Sequence, residues 1–327
     1  MKCIFCRKEV PDIKGSCEHV VPAALGGALI IREVCKDCNS KLGSNIDIGL
    51  TENKIIELHM NHYGLTKYGF PVNPFKNTDL YDINGVRVRM IIDEATGAFI
   101  PQRVTPNIEI KDIVGSNKKE IHAQCSPGQE DLCKEAIAKK LSRKFHADKN
   151  AIKANLKILE KRSTPYTNEL SYVFEVDFNK LQMAVLKIAY ELAYYWLGNE
   201  YLKSKFSKDI SKILMENDFK NVTKYVKNVL SYKDSLIRHE PYCISAFMIT
   251  KPNTNDLYII IGVFNIFSII VKICNNIFIN KIDKINSIPC ILFDCKGKSY
   301  TNDTITNTII GEMNNISNSS YLFDVNS

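Results

Sequence analysis

The chain has 327 residues, of which 45% are hydrophobic and 24% charged, a globular balance with length for about two domains of ordinary core size. Its formal charge of +7 is unevenly spread, with eight Lys/Arg against eight Asp/Glu in residues 1–65 but thirteen against seven in residues 111–162. The second segment would therefore attract polyanions whatever their sequence, unless it is simply a solvated helix face.

Eleven cysteines would suggest disulfides in a short secreted protein. The start MKCIFCRKEV has no apolar run ahead of its charges, however, so the expectation is no signal peptide, a cytoplasmic location and reduced thiols. Cys3/Cys6 and Cys35/Cys38 are two Cys-x-x-Cys pairs, a spacing that turns four sulfurs toward one tetrahedral zinc ion. The other seven cysteines form no comparable pair and read as ordinary core or surface residues.

Between the pairs, Ser16 to Val21 reads as a strand ended by Pro22. Gly26-Gly27 turns the chain, and Leu29 to Ile31 returns as the second strand of a hairpin. KDCNSKLGS from Lys36 reads as a short helix closed by Gly43, with Asp47 just beyond it as a helix cap in preference to a secondary support of the site. Thr51 is the expected cap of a helix running to His62, on which His59 and His62 read as an unconnected surface pair.

Beyond Gly64 the pattern changes. Asn84-Gly85 signals a hairpin, a second turn at Ala95-Thr96-Gly97 extends it, residues 129–162 read as one or two basic helices, and Leu170, Tyr172, Phe174 and Val176 alternate as a strand. Lys180 to Leu197 is apolar around most of its circumference. With Lys187 and Glu191 at helical spacing it reads as a buried central helix, and Tyr190, Tyr194, Tyr195 and Trp196 as core. Shorter helices are expected around Glu200 to Phe206 and Asp209 to Glu216. Leu257 to Val271 is too short and too interrupted for a membrane span and reads as two buried strands, joined by Tyr242 to Thr250 and Ile288 to Phe293. The tail after Asn302, rich in Asn, Ser and Thr, reads as poorly ordered.

Glu18, His19 and Asn39 lie inside the cysteine bracket and carry the chemistry. A neutral histidine can take a proton from water, and a divalent ion can stabilise charge on a phosphate and its leaving oxygen. Neighbours on a strand point to opposite faces, so Glu18 and His19 would serve different sides of such a site. Asn39 offers an oxygen suited to magnesium or manganese.

EHVVPAALGG followed by VCKDCNSKLG resembles the HNH endonucleases of the ββα-metal (His-Me finger) superfamily, in the subgroup stapled by two Cys-x-x-Cys pairs. The resemblance covers about the first fifty residues and implies His19 as general base, Glu18 and Asn39 as ligands of a catalytic Mg2+ or Mn2+, and Cys3, Cys6, Cys35 and Cys38 as ligands of a structural Zn2+. It departs from the family at one point. The middle Asn that commonly orients the histidine has no counterpart between His19 and Cys35, and a backbone carbonyl is the expected substitute.

The expected fold is α+β. A zinc-stapled ββα-metal (HNH) module in residues 1–66 would be followed by a larger mixed α/β domain, residues 67–327, for recognition, regulation or oligomerisation. The expected function is a metal-dependent endonuclease acting on DNA and leaving 5′ phosphates, with no membrane association and with a second copy of the chain as a further candidate partner. The alternative is a non-enzymatic zinc module that only binds nucleic acid or protein.

Overall fold

The computed structural model describes residues 2–9, 16–76, 78, 80–83, 85–93, 96–112, 119–125, 128–157, 160, 170–171, 175–230, 244–250, 256–264, 266–275 and 289–304. They fall into two compact units, Met1–Val72 together with Glu175–Ser327, and Asn73–Phe174. The units thus part elsewhere than at the expected boundary after residue 66. The physical reason is burial: one apolar cluster runs from Ile4, Val20, Leu42, Leu50 and Ile56 into Ala184, Ile188, Leu192, Ile259 and Ile269. A module of some fifty residues encloses too little apolar surface for a core of its own, and it completes that core with residues far along the chain.

In the N-terminal part of the first unit, β1 (Glu18–His19) pairs antiparallel with β2 (Ile30–Ile31), Glu18 opposite Ile31 and His19 opposite Ile30. The expected strand is cut to two residues, although Val20 and Val21 remain fully buried. Pro22 leads into a 3-10 turn, Ala23–Leu25, and Gly26 closes it in the left-handed region at φ 87°.

Helix α1 (Lys36–Asn45) does not stop at Gly43 as expected. Leu42 and Ile46 are buried on its inner side, and their packing outweighs the roughly 1 kcal/mol helix penalty of an exposed glycine. α2 (Ile48–Thr51) and α3 (Lys54–His62) follow. The cap of α3 is Asn53 rather than Thr51, its Oδ1 accepting from Ile55 N at 3.1 Å and Ile56 N at 3.3 Å. A short hairpin of β3 (Thr66–Lys67) and β4 (Phe70–Pro71) ends this part.

The second unit holds the expected turns. β5 (Leu80–Asp82), β6 (Arg87–Ile92) and β7 (Phe99–Arg103) form a meander through left-handed Gly85 and Gly97, while Asn84 and Ala95 of those turns lie outside the described residues. β8 (Asn107–Asp112) and β9 (Lys119–Gln124) make a hairpin against α4 (Glu130–Phe145) and α5 (Lys149–Asn155), the two expected helices of the basic segment. Cys133, Ile137 and Leu141 of α4 face inward, and Lys139, Lys140, Arg143 and Lys144 are exposed. β10 (Leu170–Ser171) pairs with β5, and Tyr172 and Phe174 of the expected strand lie outside the described residues.

Back in the first unit, α6 (Phe178–Leu197) is the buried central helix, started by Asp177, whose side chain accepts from Lys180 N at 3.1 Å. α7 (Asn199–Lys203), α8 (Lys205–Glu216) and α9 (Phe219–Val222) pack around it. The helix lies on a six-stranded antiparallel sheet ordered β11-β14-β13-β12-β15-β16, from β11 (Val226–Leu230), β12 (Ile244–Thr250), β13 (Leu257–Val263), β14 (Phe267–Cys274), β15 (Pro289–Asp294) and β16 (Ser299–Thr304). β13 and β14 are the two buried strands read from Leu257 to Val271. β16 pairs with β15 as far as Thr304, and the rest of the tail expected to be poorly ordered lies outside the described residues. No helix among the described residues is long and apolar enough to cross a membrane.

The approach of α2 to α6 is close because Gly49 has no side chain; a Cβ there would lie 2.1 Å from the Lys180 carbonyl oxygen. Gly49→Ala is expected to lower stability by about 1–3 kcal/mol, the cost of overpacking a tight contact. Thermal melting checks it, and an unchanged midpoint would refute the claimed contact.

Candidate active site

Cys3 to Cys6 form a tight turn, with Cys3 N donating to Lys8 O at 3.0 Å and Arg7 N to Cys3 O at 3.0 Å. Cys35 stands immediately before α1 and Cys38 in its first turn, so the helix start carries the second pair. The four Sγ atoms all lie within 4.8 Å of one another, with Cys6 and Cys35 at 3.8 Å. Zinc–sulfur bonds of about 2.3 Å place tetrahedral ligand atoms about 3.8 Å apart, so the cluster has the dimensions of a four-cysteine zinc site. The hydrogen bond between the Cys3 and Cys38 thiols lowers the pKa of the first and raises that of the second.

The same turn is fastened to the rest of its unit by Arg7. Its guanidinium donates to Leu202 O at 3.1 Å, Tyr190 OH at 3.1 Å and Ser207 Oγ at 2.6 Å, and Tyr190 OH in turn donates to Ile4 O. Tyr190 is core, as the sequence reading expects, whereas Tyr195 is on the surface at 40% exposure.

His19 is half-buried on β1, and its Nδ1 lies 2.9 Å from Gly27 O. A carbonyl only accepts, so Nδ1 carries the proton and Nε2 keeps its lone pair. This is the backbone substitute expected for the absent asparagine. Gly27 itself has no room for a side chain, because a Cβ would meet Val21 O at 1.8 Å. The turn between β1 and β2 therefore brings its carbonyl under the imidazole only with glycine at this position.

Glu18 points the other way, into the protein, and is 2% exposed. Its Oε1 is ion-paired with Lys187 of α6, and among the described residues Oε2 has no hydrogen-bond partner. Burial raises the Glu18 pKa and Lys187 opposes the rise. Lys187 Nζ also donates to Asp47 Oδ1 at 2.9 Å and to His19 O at 3.1 Å. Burial pushes the Lys187 ammonium down, but the carboxylates around it hold it well above its usual value. Asp47 is thus no side-chain cap, contrary to expectation; its carboxylate is spent on Lys187. Glu191, one turn further along α6, is completely buried, neither of its oxygens has a hydrogen-bond partner among the described residues, and burial drives its pKa well up.

Asn39, in the first turn and a half of α1, donates Nδ2 to Ser16 Oγ at 3.4 Å, two residues ahead of Glu18, which leaves Oδ1 as an acceptor. The start of α1 is therefore tied to the start of β1. Glu18 and Asn39 together offer carboxylate and amide oxygens, the hard donors that magnesium and manganese take. His59 turns inward on its own helix, Nδ1 lying 3.0 Å from Ile55 O, and joins no metal-type cluster among the described residues. Lys187 is the residue beside the site that the sequence reading missed, and Asp47 is the one whose supporting role it set below a cap. A lysine inside an otherwise apolar helix was the available signal, since it must find carboxylates somewhere.

Residues 3–55 match the model of a family described as HNH endonuclease. That segment is an HNH domain bearing the four-cysteine cluster, and it opens a larger mixed α/β chain. No curated protein and no solved structure matches the chain.

Purified protein is expected to hold about one zinc per chain, and Cys35→Ser to lose it together with the packing of the N-terminal part. Elemental analysis and circular dichroism read both, and a zinc-free protein that folds normally with Cys35→Ser would sink the assignment.

Proposed function

We propose that this chain is a metal-dependent endonuclease that hydrolyses phosphodiester bonds in DNA. The single observation that carries the reading is the imidazole of His19, fixed through Nδ1 to Gly27 O within the HNH segment, with Nε2 left as a base. In this reading His19 Nε2 accepts a proton from the water that attacks phosphorus, and the imidazole plane is held against rotation while it does so. Glu18 and Asn39 would hold a divalent cation, Mg2+ or Mn2+. Such an ion, when bound, stabilises charge on the phosphate and on the departing 3′ oxygen, so that the product carries a 5′ phosphate. The zinc is structural and keeps α1 in register with the Cys3–Cys6 turn.

DNA as the partner is supported by the chemistry of the HNH segment and by the exposed bases of α4. A cytoplasmic restriction, anti-phage or mobile-element role is compatible with both, as is self-association. The second reading, a zinc module that binds without cutting, is favoured by one observation, the sealing of Glu18 against Lys187.

His19→Ala is expected to lose about two to four orders of magnitude in cleavage rate with little change in binding, the scale of a general base. Asn39→Ala should instead raise the metal concentration needed for half-maximal rate. A plasmid, branched and single-stranded substrate set with Mg2+ or Mn2+ reads both. Cleavage by His19→Ala at the wild-type rate, in protein free of contaminating nuclease, would leave only the binding module.

Charge reversal of Lys139, Lys140, Arg143 and Lys144 together is expected to weaken DNA binding and flatten its salt dependence, by about 0.9 in the log–log slope for each phosphate no longer neutralised. Titrations at several salt concentrations measure this; an unchanged slope would return α4 to a solvated face.

A further inference from the structure

We infer that Lys187 is a positioning residue of the candidate nuclease site, holding the strand that carries Glu18 and His19 from a helix 168 residues further along the chain. The inference rests on the nuclease reading above. The ammonium is 0% exposed and has three N–H donors, and three acceptors meet it: Glu18 Oε1, Asp47 Oδ1 at 2.9 Å and the main-chain carbonyl of His19 at 3.1 Å. Every donor is used. Glu191 stands behind it at 3.9 Å, too far for a hydrogen bond but near enough to count as an ion pair.

Each of the three contacts fixes something that the site needs. The bond to His19 O holds the peptide of the base itself, and Gly27 O holds its ring, so the histidine is clamped at both ends. The pairing at Glu18 Oε1 sets the rotation of that carboxylate and leaves Oε2 as its free oxygen among the described residues. The bond to Asp47 fixes the step from α1, which carries Asn39, into α2. Base and carboxylate are thus both referred to one nitrogen atom, which also holds Asp47 just beyond the helix that carries the amide.

A buried ion pair kept only for stability explains less. Replacing such pairs with apolar side chains is often neutral or stabilising, so stability alone gives no reason for three acceptors to meet at the Glu18-His19 dipeptide. Partners in the layer behind metal ligands and bases act by orientation, and their loss commonly costs about 10–100-fold in metal affinity or activity.

The test compares Lys187→Met/Asp47→Asn, which removes one charge of each sign, with Asp47→Asn alone as reference and Lys187→Arg as the conservative variant. Zinc content and thermal melting report folding, electron paramagnetic resonance of Mn2+ reports metal affinity, and single-turnover cleavage reports the site. The expected result is folded, zinc-loaded protein in which Mn2+ affinity and cleavage rate each fall about 10–100-fold relative to the reference. Substrate KM should stay within about twofold, with partial recovery in Lys187→Arg. Reference-level Mn2+ affinity and rate in the double variant would overturn the inference, as would a loss of melting temperature or zinc with the folded fraction behaving as the reference does. Wild-type protein that binds no Mn2+ would overturn it too. His19→Ala cutting at the wild-type rate would fail the nuclease reading alone, since the Mn2+ measurement still reports on Lys187.

Discussion

A charged ammonium cannot lie in an apolar core without acceptors, and this constraint decides how the two distant parts of the first unit meet. α6 is apolar on nearly every side, yet it carries Lys187 at its centre. The helix can be buried only where carboxylates come to it, and the HNH segment supplies them in Glu18 and Asp47. The segment, for its part, lacks a core until α6 and the sheet beneath it close over Leu42, Leu50 and Ile56. Each side resolves the other's deficit, one of charge and one of apolar cover.

The four-cysteine cluster and Arg7 tie down the start of the module in a similar way. The four sulfurs join the Cys3–Cys6 turn to α1, a local cross-link within about thirty-five residues. Arg7, one residue past the turn, then reaches Leu202, Tyr190 and Ser207 on three different helices. The four thiols can close the module internally through a metal, while a guanidinium and an ammonium fix it to the helices outside it.

Those parts whose cause is local were legible in the sequence. The cysteine spacing, the Gly26-Gly27 turn, the buried helix over Lys180 to Leu197 and the paired strands in Leu257 to Val271 all announce themselves through spacing or periodicity. What was missed has long-range causes. Gly43 looks like a helix stop until the burial of Leu42 and Ile46 is known, and Asp47 looks like a cap until Lys187 claims its carboxylate. The choice of Asn53 over Thr51 as cap turned on where α2 ends, two residues that no pattern separates. The division into units was illegible for the same reason, since nothing in residues 1–66 says that their core lies beyond Glu175.

That discontinuity has a consequence for how the protein comes into being. The partner of His19's own carbonyl is made 168 residues after it, and the whole of Asn73–Phe174 is made in between. At synthesis rates of about 5–20 residues per second, the Glu18-His19 strand exists for roughly 8–34 s before Lys187 has even left the peptidyl-transfer centre. Throughout that interval the zinc can already be in place, yet the apolar side of α1 and α2 has nothing to rest on. The order in which the chain is written thus delays assembly of the site until Lys187, 168 residues after His19, has been added.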